Sequence, residues 1–229
     1  MNRYSIGSIV GILLLWELLV RWLEIPKFLL PTPSTILSYI IAKFQLLANH
    51  TLMTLLEAGV GFIVGSFSAI VTAILFLWSR PLKEMFYPYA VILNSTPIVA
   101  IAAPIVIIFG SGMGSKVVTA IICVFFPILG PTFKALASVG ATEMKWMDSY
   151  HSSRWQKFWY LQFPFALPQI FASFKVAWTL AVIGAVVGEV FGAYRGLGFL
   201  IVDAIYIMDT PRVFASIIAC SLLGLPLSG

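Results

Sequence analysis

Six long apolar blocks alternate with short polar connections, at residues 6–20, 58–78, 86–109, 117–136, 168–190 and 213–227. Barrel strands would alternate apolar and polar positions with period two, and these blocks do not. In lipid the other spanning solution is the α-helix, which satisfies its own backbone. Each crossing takes about 20 mostly apolar residues to cover the ~30 Å hydrocarbon core. The 229 residues therefore leave room, after loops, for about five or six crossings. The pattern predicts an all-α membrane protein built as a single domain over residues 1–229.

The connections differ in character. Arg3 precedes the first block as it would in a signal peptide, but Glu17 and Arg21 border the block and no small-x-small cleavage site follows. A retained first membrane helix fits better. Pro26, Pro31 and Pro33 break the chain, and Thr32-Pro33-Ser34 reads as a helix start. Beyond it Ile36, Leu37, Ile40, Ile41 and Phe44 recur at helical spacing, as in an interfacial amphipathic helix or a short buried one. The turn 110–114 is glycine-rich but lacks phosphate-loop spacing.

The longest polar insertion runs over residues 137–163. Its charges, Glu143, Lys145, Asp148, His151, Arg154 and Lys157, interleave with Met144, Met147, Tyr150, Trp155 and Phe158. Met144, Met147 and Tyr150 fall on one helical face, with charge on the other. From pattern alone such a segment either lies on the membrane or docks into a partner.

Composition narrows the classes. Only 10% of residues are charged and 60% are hydrophobic, too little polar surface for a water-soluble enzyme. The net charge of +5 is dispersed between apolar blocks, which fits juxtamembrane anchoring to membrane lipid and not nucleic-acid binding. With the N-terminus inside, Arg3, Arg80, Lys83, Lys134, Lys145, Arg154 and Lys157 face the cytoplasm. Arg21, Lys27, Lys43, Lys116, Arg195 and Arg212 then face the other side, a weak bias that the charged insertion reinforces.

Chemistry-bearing groups are sparse. His50 and His151 are far apart, no cluster has metal-ligand spacing, and no nucleophile elbow or Walker-type loop occurs. Energised work would need another chain to bind the energy source. Ionisable groups inside apolar blocks are costly, about 2.5–3.5 kcal/mol at mid-helix on insertion scales. Glu189 is the strongest such signal, as a pathway or interhelical group or as a helix-end carboxylate reaching the headgroups; Glu57 and Lys116 sit at block ends where snorkelling would serve them. Asn94, Ser95, Thr96 and Pro97 place polar, irregular backbone inside the third block, suited to a wet translocation route or to helix packing. Gly61/Gly65, Gly184/Gly188 and Gly188/Gly192 are small-xxx-small pairs that indicate close packing.

The stretch Asp148-Ser149-Tyr150-His151-Ser152-Ser153-Arg154-Trp155-Gln156, followed by Phe163-Pro164-Phe165-Ala166-Leu167-Pro168, resembles the cytoplasmic signature loop of ABC importer permeases. Lys175-Val176-Ala177-Trp178, Gly188-Glu189-Val190-Phe191-Gly192-Ala193 and Gly196-Leu197-Gly198 are similar to its nitrate/sulfonate/taurine-type branch. Leu30-Pro31-Thr32-Pro33-Ser34, Tyr87-Pro88-Tyr89 and Phe126-Pro127-Ile128-Leu129 fit the same branch upstream. Their order and spacing span nearly the whole chain.

The resemblance implies a type I importer permease bundle of about six transmembrane helices, the last one short, in a bacterial inner membrane. Two copies would pair, an extracytoplasmic solute-binding protein would deliver the solute, and a separate ATPase would bind ATP and Mg. This chain would bind no cofactor of its own and would not be an enzyme. The insertion then becomes a coupling element, with Met144, Met147, Asp148, Ser149, Tyr150, His151 and Arg154 at the ATPase and its apolar residues in the ATPase groove. Asn94, Ser95, Thr96, Pro97 and Glu189 are the candidate translocation residues. The stretch 87–102 looks closer to vitamin-precursor members, such as those for thiamine pyrimidines or riboflavin, with an inorganic or organic anion as the alternative solute.

Two departures carry expectations. The family places alanines and a glycine where this chain has Met147, Tyr150 and His151, which predicts an altered turn after the coupling helix. Relatives also continue through a full last span and a basic tail, where this chain reaches Leu225-Pro226-Leu227-Ser228-Gly229 and reads as clipped. An intramembrane enzyme would need paired catalytic groups at depth, and only Glu189 and Lys175 are offered, both in one block. A passive channel would need no docking insertion.

Overall fold

The computed structural model describes residues 3–225, so the expectation about the last four positions lies outside the described residues. The first block forms α1 (Arg3–Trp22). After the proline-rich break comes α2 (Pro33–Ala42), whose N-cap Thr32 accepts from the Thr35 amide while Pro33 supplies a pre-set first-turn φ. Lys43 interrupts the helix, and α3 (Phe44–Trp78) then runs for 35 residues. It starts well before the apolar block at 58, because its first turns are cushioned by neighbouring elements and need not be uniformly apolar.

The third block is not one straight span. It divides into α4 (Arg80–Ser95) and α5 (Ile98–Phe109), bent by 103° at the break. Pro97 removes a donor and pushes Thr96 into extended backbone (φ −81°, ψ 130°), which stops the helix there. Next is α6 (Met113–Ala137), then α7 (Ala141–Ser149) and the short α8 (Arg154–Lys157), opened by a Ser153/Gln156 capping box. A π-turn over Phe158–Gln162 joins α8 to α9 (Phe163–Val190), with the Phe163 amide donating to Phe158 O. The wide turn makes room for Pro164, whose ring would clash with a carbonyl in a regular α-turn. The chain closes with α10 (Leu197–Tyr206) and α11 (Thr210–Gly224).

Among the described residues three helices are long and apolar enough to cross a membrane, namely α3, α6 and the continuous run Arg154–Val190, and the bent pair α4/α5 makes a fourth if it is counted as one span. Beside them α2, α10 and α11 are shorter apolar helices. The expected helical permease architecture is present, with the sixth block realised as a 15-residue helix.

The core sits where α6 packs between α3 and α9. Val124, Ile128, Leu129, Ala69, Phe76, Phe158, Ile170 and Ala177 are buried there. Glycines bring these helices close: a Cβ on Gly61 would lie 2.4 Å from Ala120 Cβ, and one on Gly184 would lie 2.8 Å from Ala120 Cα. The small-xxx-small spacing in the sequence thus marks two real contacts that meet at one alanine. A smaller cluster, Ile36, Leu47, Leu197, Leu200 and Ala215, ties α2, α10 and α11 to the start of α3. Ile63, Phe67 and Phe171 point outward, 67%, 71% and 61% exposed, as lipid-facing side chains do.

Candidate functional site

The 137–163 insertion emerges at the end of the bundle where α3 finishes. Glycine at position 140 leads into α7, and Glu143 in the first turn complements the helix dipole. The helix ends in a Schellman arrangement, with the Ser152 amide donating to Met147 O and the His151 amide to Asp148 O. His151 occupies the left-handed position of that motif at φ 55°. Histidine is thus held in backbone space that favours glycine.

The two faces of α7 do not divide as the sequence pattern suggests. Met144 is half-buried and shares a cleft of about 320 Å³ with Leu77, Trp78, Arg154, Lys157 and Gln162. Met147 is also half-buried. The apolar groups that project freely are Trp146, 67% exposed, and Tyr150, 77% exposed. Trp146 was not singled out from the sequence, because it falls off the Met144/Met147 stripe; its bulk beside Lys145 on the polar side was the available signal. Asp148 is ion-paired with Lys157, which closes the loop between α7 and α8. Ser149 Oγ donates to Trp146 O at 2.7 Å. Arg154 is exposed.

An aromatic joint fixes this insertion to the bundle. Trp155 meets Trp78 edge-on with ring centroids 4.7 Å apart, and Phe158 meets Trp78 at 5.6 Å. Trp78 is the last residue of α3 and Phe158 is 1% exposed, so the joint connects the insertion to the first long helix as well as to α9.

Asn94, Ser95, Thr96 and Pro97 lie together at the break between α4 and α5, all exposed. Ser95 Oγ donates to Val91 O at 2.9 Å and Thr96 Oγ1 to Ile92 O at 3.0 Å, which gives partners to carbonyls at the helix end. Irregular polar backbone of this kind persists in a membrane only against water or protein.

Glu189, near the end of α9, is 1% exposed. Thr54 Oγ1 donates to its Oε1 at 2.6 Å and the Gly198 amide to its Oε2 at 2.6 Å. The Leu197 amide in turn donates to Thr54 Oγ1 at 2.9 Å. Gly196 adopts φ 111°, and a Cβ there would lie 2.2 Å from the Glu189 carboxyl carbon, so the carboxyl seats in a cradle only glycine leaves open. Glu57 is buried beside Glu189, and its Oε2 has no hydrogen-bond partner in the protein. Lys116 Nζ donates to Ser111 O at 2.7 Å and Gly192 O at 2.9 Å. Glu57 and Lys116 are 2% and 1% exposed, so neither snorkels outward as its block-end position suggests. Glu57 is well inside α3 because that helix starts early, and Lys116 turns inward to one carbonyl after α5 and one after α9. Thr54 and Lys116 complete a polar knot that sequence reasoning did not assemble, since its members are dispersed along the chain.

Comparison with known proteins agrees with this architecture. The formylaminopyrimidine transport permease ThiX of Halalkalibacterium halodurans is 32% identical over 215 residues, covering 93% of this chain and 86% of that protein. The riboflavin transport permease RibX of Chloroflexus aurantiacus is 33% identical over 222 residues, covering 96% and 83%. A more distant relative, the putative aliphatic sulfonates permease SsuC of Bacillus subtilis, is 26% identical over 240 residues, covering 97% and 84%. Among solved structures, a chain of the inward-facing MetNI methionine ABC transporter superposes with a TM-score of 0.68 at 19% identity, over 82% of this chain and 95% of that one, a likeness of fold. Residues 61–229 match the family described as binding-protein-dependent transport system inner membrane component, and the chain belongs to that family of ABC importer permeases.

Proposed function

We propose that this permease works with a separate ATPase subunit, which binds ATP and Mg, and that α7 is the element that docks into it. The observation that carries this is a nine-residue helix standing clear of the bundle between two spans, with Trp146 and Tyr150 projecting and its base locked to Trp78. Exposed aromatics flanked by charge suit a docking contact. Met147, Asp148, Ser149, His151 and Arg154 then shape the contact, while Met144 braces it against the bundle. Docking to a nucleotide-driven subunit puts this end in the cytoplasm and the N-terminus on the same side.

A second copy of the chain would cover the exposed break at Asn94, Ser95, Thr96 and Pro97, making it a wall of the pathway, with an extracytoplasmic binding protein delivering the solute. Glu189 shapes that route indirectly, by fixing the end of α9. The solute is a vitamin precursor, supported by the greater identity to the formylaminopyrimidine and riboflavin permeases than to the sulfonate one. An anion is the alternative that the sulfonate relative keeps in view.

The docking role is tested by co-purification. Deleting residues 144–154 is expected to release a co-purifying ATPase from an otherwise intact permease, and retained binding after that deletion would overturn the assignment. Uptake of nitrate without uptake of a pyrimidine or flavin would overturn the solute reading.

A further inference from the structure

At the other end of α3, about 40 Å from Trp78 along the helix, a cavity of about 690 Å³ opens among α3, the loop after α9, α10 and α11. Its polar lining is Asn49, His50, Tyr194, Arg195 and Arg212, and no carboxylate lines it. Arg212 pairs through one terminal nitrogen with Asp203, which lies outside the lining, while its buried Nε has no hydrogen-bond partner in the protein. Arg195 makes no ion pair among the described residues and is exposed. His50 Nδ1 lies against the Gly196 backbone, 3.0 Å from its amide nitrogen and 3.2 Å from its carbonyl oxygen, which fixes the ring at the cavity wall. Phe199 stacks on the ring at 5.9 Å and holds its plane.

Two guanidinium groups, an imidazole and a side-chain amide thus line one space, and the two acids beside Arg212 lie outside that lining, Asp203 paired with its guanidinium and Asp209 accepting from its backbone amide. That donor set matches an oxyanion. Apolar surface adjoins it: Leu52 lines this cavity and also a second one, of about 460 Å³, walled by Ala215, Ile218 and Leu222 of α11. We propose that the pocket binds an oxyanion group, phosphate, sulfonate or carboxylate, on a molecule whose remainder is apolar. The carrier is an anionic phospholipid or a small free anion; both present the same group to the arginines. The proposal is separate from docking at α7, since deletion of residues 144–154 leaves this end untouched.

The test uses the purified full chain, with R195Q as the main variant because Arg195 is exposed and its loss removes no ion pair. R212Q is read alongside, with its folding checked by size-exclusion chromatography. In one arm the protein is placed in phosphatidylcholine nanodiscs with or without phosphatidylglycerol, and retained lipid is counted by native mass spectrometry. In the other, thermal unfolding in detergent is followed with sodium phosphate or methanesulfonate against matched chloride. The wild type is expected to retain phosphatidylglycerol, or to be stabilised by the soluble anions, with affinity falling about tenfold in R195Q. A response in the lipid arm alone identifies a headgroup; a response to the soluble anions identifies a free solute. No response in either arm, or an equal response in wild type and R195Q, overturns the proposal.

Discussion

Thr54 and Glu189 meet at 2.6 Å, joining α3 to the end of α9 across 135 positions of sequence. The same hydroxyl accepts the Leu197 amide, so one small side chain holds three helices in register. Thr54→Val keeps the shape but leaves a buried amide and a carboxyl oxygen short of a partner, a loss of about 1–3 kcal/mol. Thr54→Ser keeps the hydroxyl and stays near wild type. Thermal unfolding in detergent, read by fluorescence-detected size exclusion, checks the contrast; equal stability of the valine variant and the wild type would remove the tie from the account.

Ala120 offers a second contrast, because Gly61 of α3 and Gly184 of α9 both press on it. Gly61→Val or Gly184→Val must push α6 away from α3 or α9, since even a Cβ would lie 2.4 Å or 2.8 Å from Ala120. Overpacking of this kind destabilises by about 1–3 kcal/mol. Gly59→Ala is the control: a Cβ there meets nothing within 4 Å, and alanine favours helix by about 0.5–1 kcal/mol. The expected order of unfolding temperatures is Gly59→Ala at or above wild type, with both valine variants below. A Gly61→Val protein as stable as the wild type would show that the crossing is looser than described.

Much of this was legible in the sequence for a physical reason. Lipid demands long apolar helices, so the spans announce themselves, and the Gly61/Gly65 and Gly184/Gly188 spacings foretell the close crossings. The break at Pro97 was visible as polar backbone, but its 103° bend was not, because a proline fixes where a helix stops and neighbours fix where the chain goes next. Helix α10 escaped notice because a ten-residue helix is too short to span. The knot around Glu189 was half-seen: a carboxyl in an apolar block flags itself, but Thr54, Lys116 and Gly196 are ordinary until the fold gathers them. On α7 the periodicity found the stripe but not that Met144 and Met147 are half-buried while Tyr150 projects, since the same stripe serves a partner groove or the helix's own bundle.

Trp155 and Trp78 make the joint through which movement of α7 would reach α3. Trp155→Ala removes an edge-on pair of the kind worth about 0.5–1.5 kcal/mol and leaves Trp146 and Tyr150 in place for docking. The expected outcome separates binding from transmission: the ATPase still co-purifies, while stimulation of its hydrolysis by solute-loaded binding protein falls. Reconstituted proteoliposomes report both. Unchanged stimulation in Trp155→Ala would show that motion passes elsewhere.

His151 closes α7 in left-handed backbone, at φ 55°, with its amide bonded to Asp148 O. A non-glycine residue there carries about 1–2 kcal/mol of strain. His151→Gly relieves it, offset in part by the roughly 0.5–1 kcal/mol of extra chain entropy that glycine loses on folding. The glycine variant is therefore expected to be as stable as the wild type or slightly more so, and to keep the ATPase. His151→Pro fixes φ near −65° and deletes the amide, which abolishes both the left-handed turn and its hydrogen bond. Because the turn is exposed at the edge of the bundle, the proline variant still folds, as size exclusion would report, but its α7 leaves the bundle at a different angle and recovery of the ATPase drops by about tenfold, equivalent to ~1.4 kcal/mol. Full recovery with proline would mean that the direction of α7 is set by the Asp148–Lys157 pair and the Trp78 joint alone, and not by the turn that His151 strains to make.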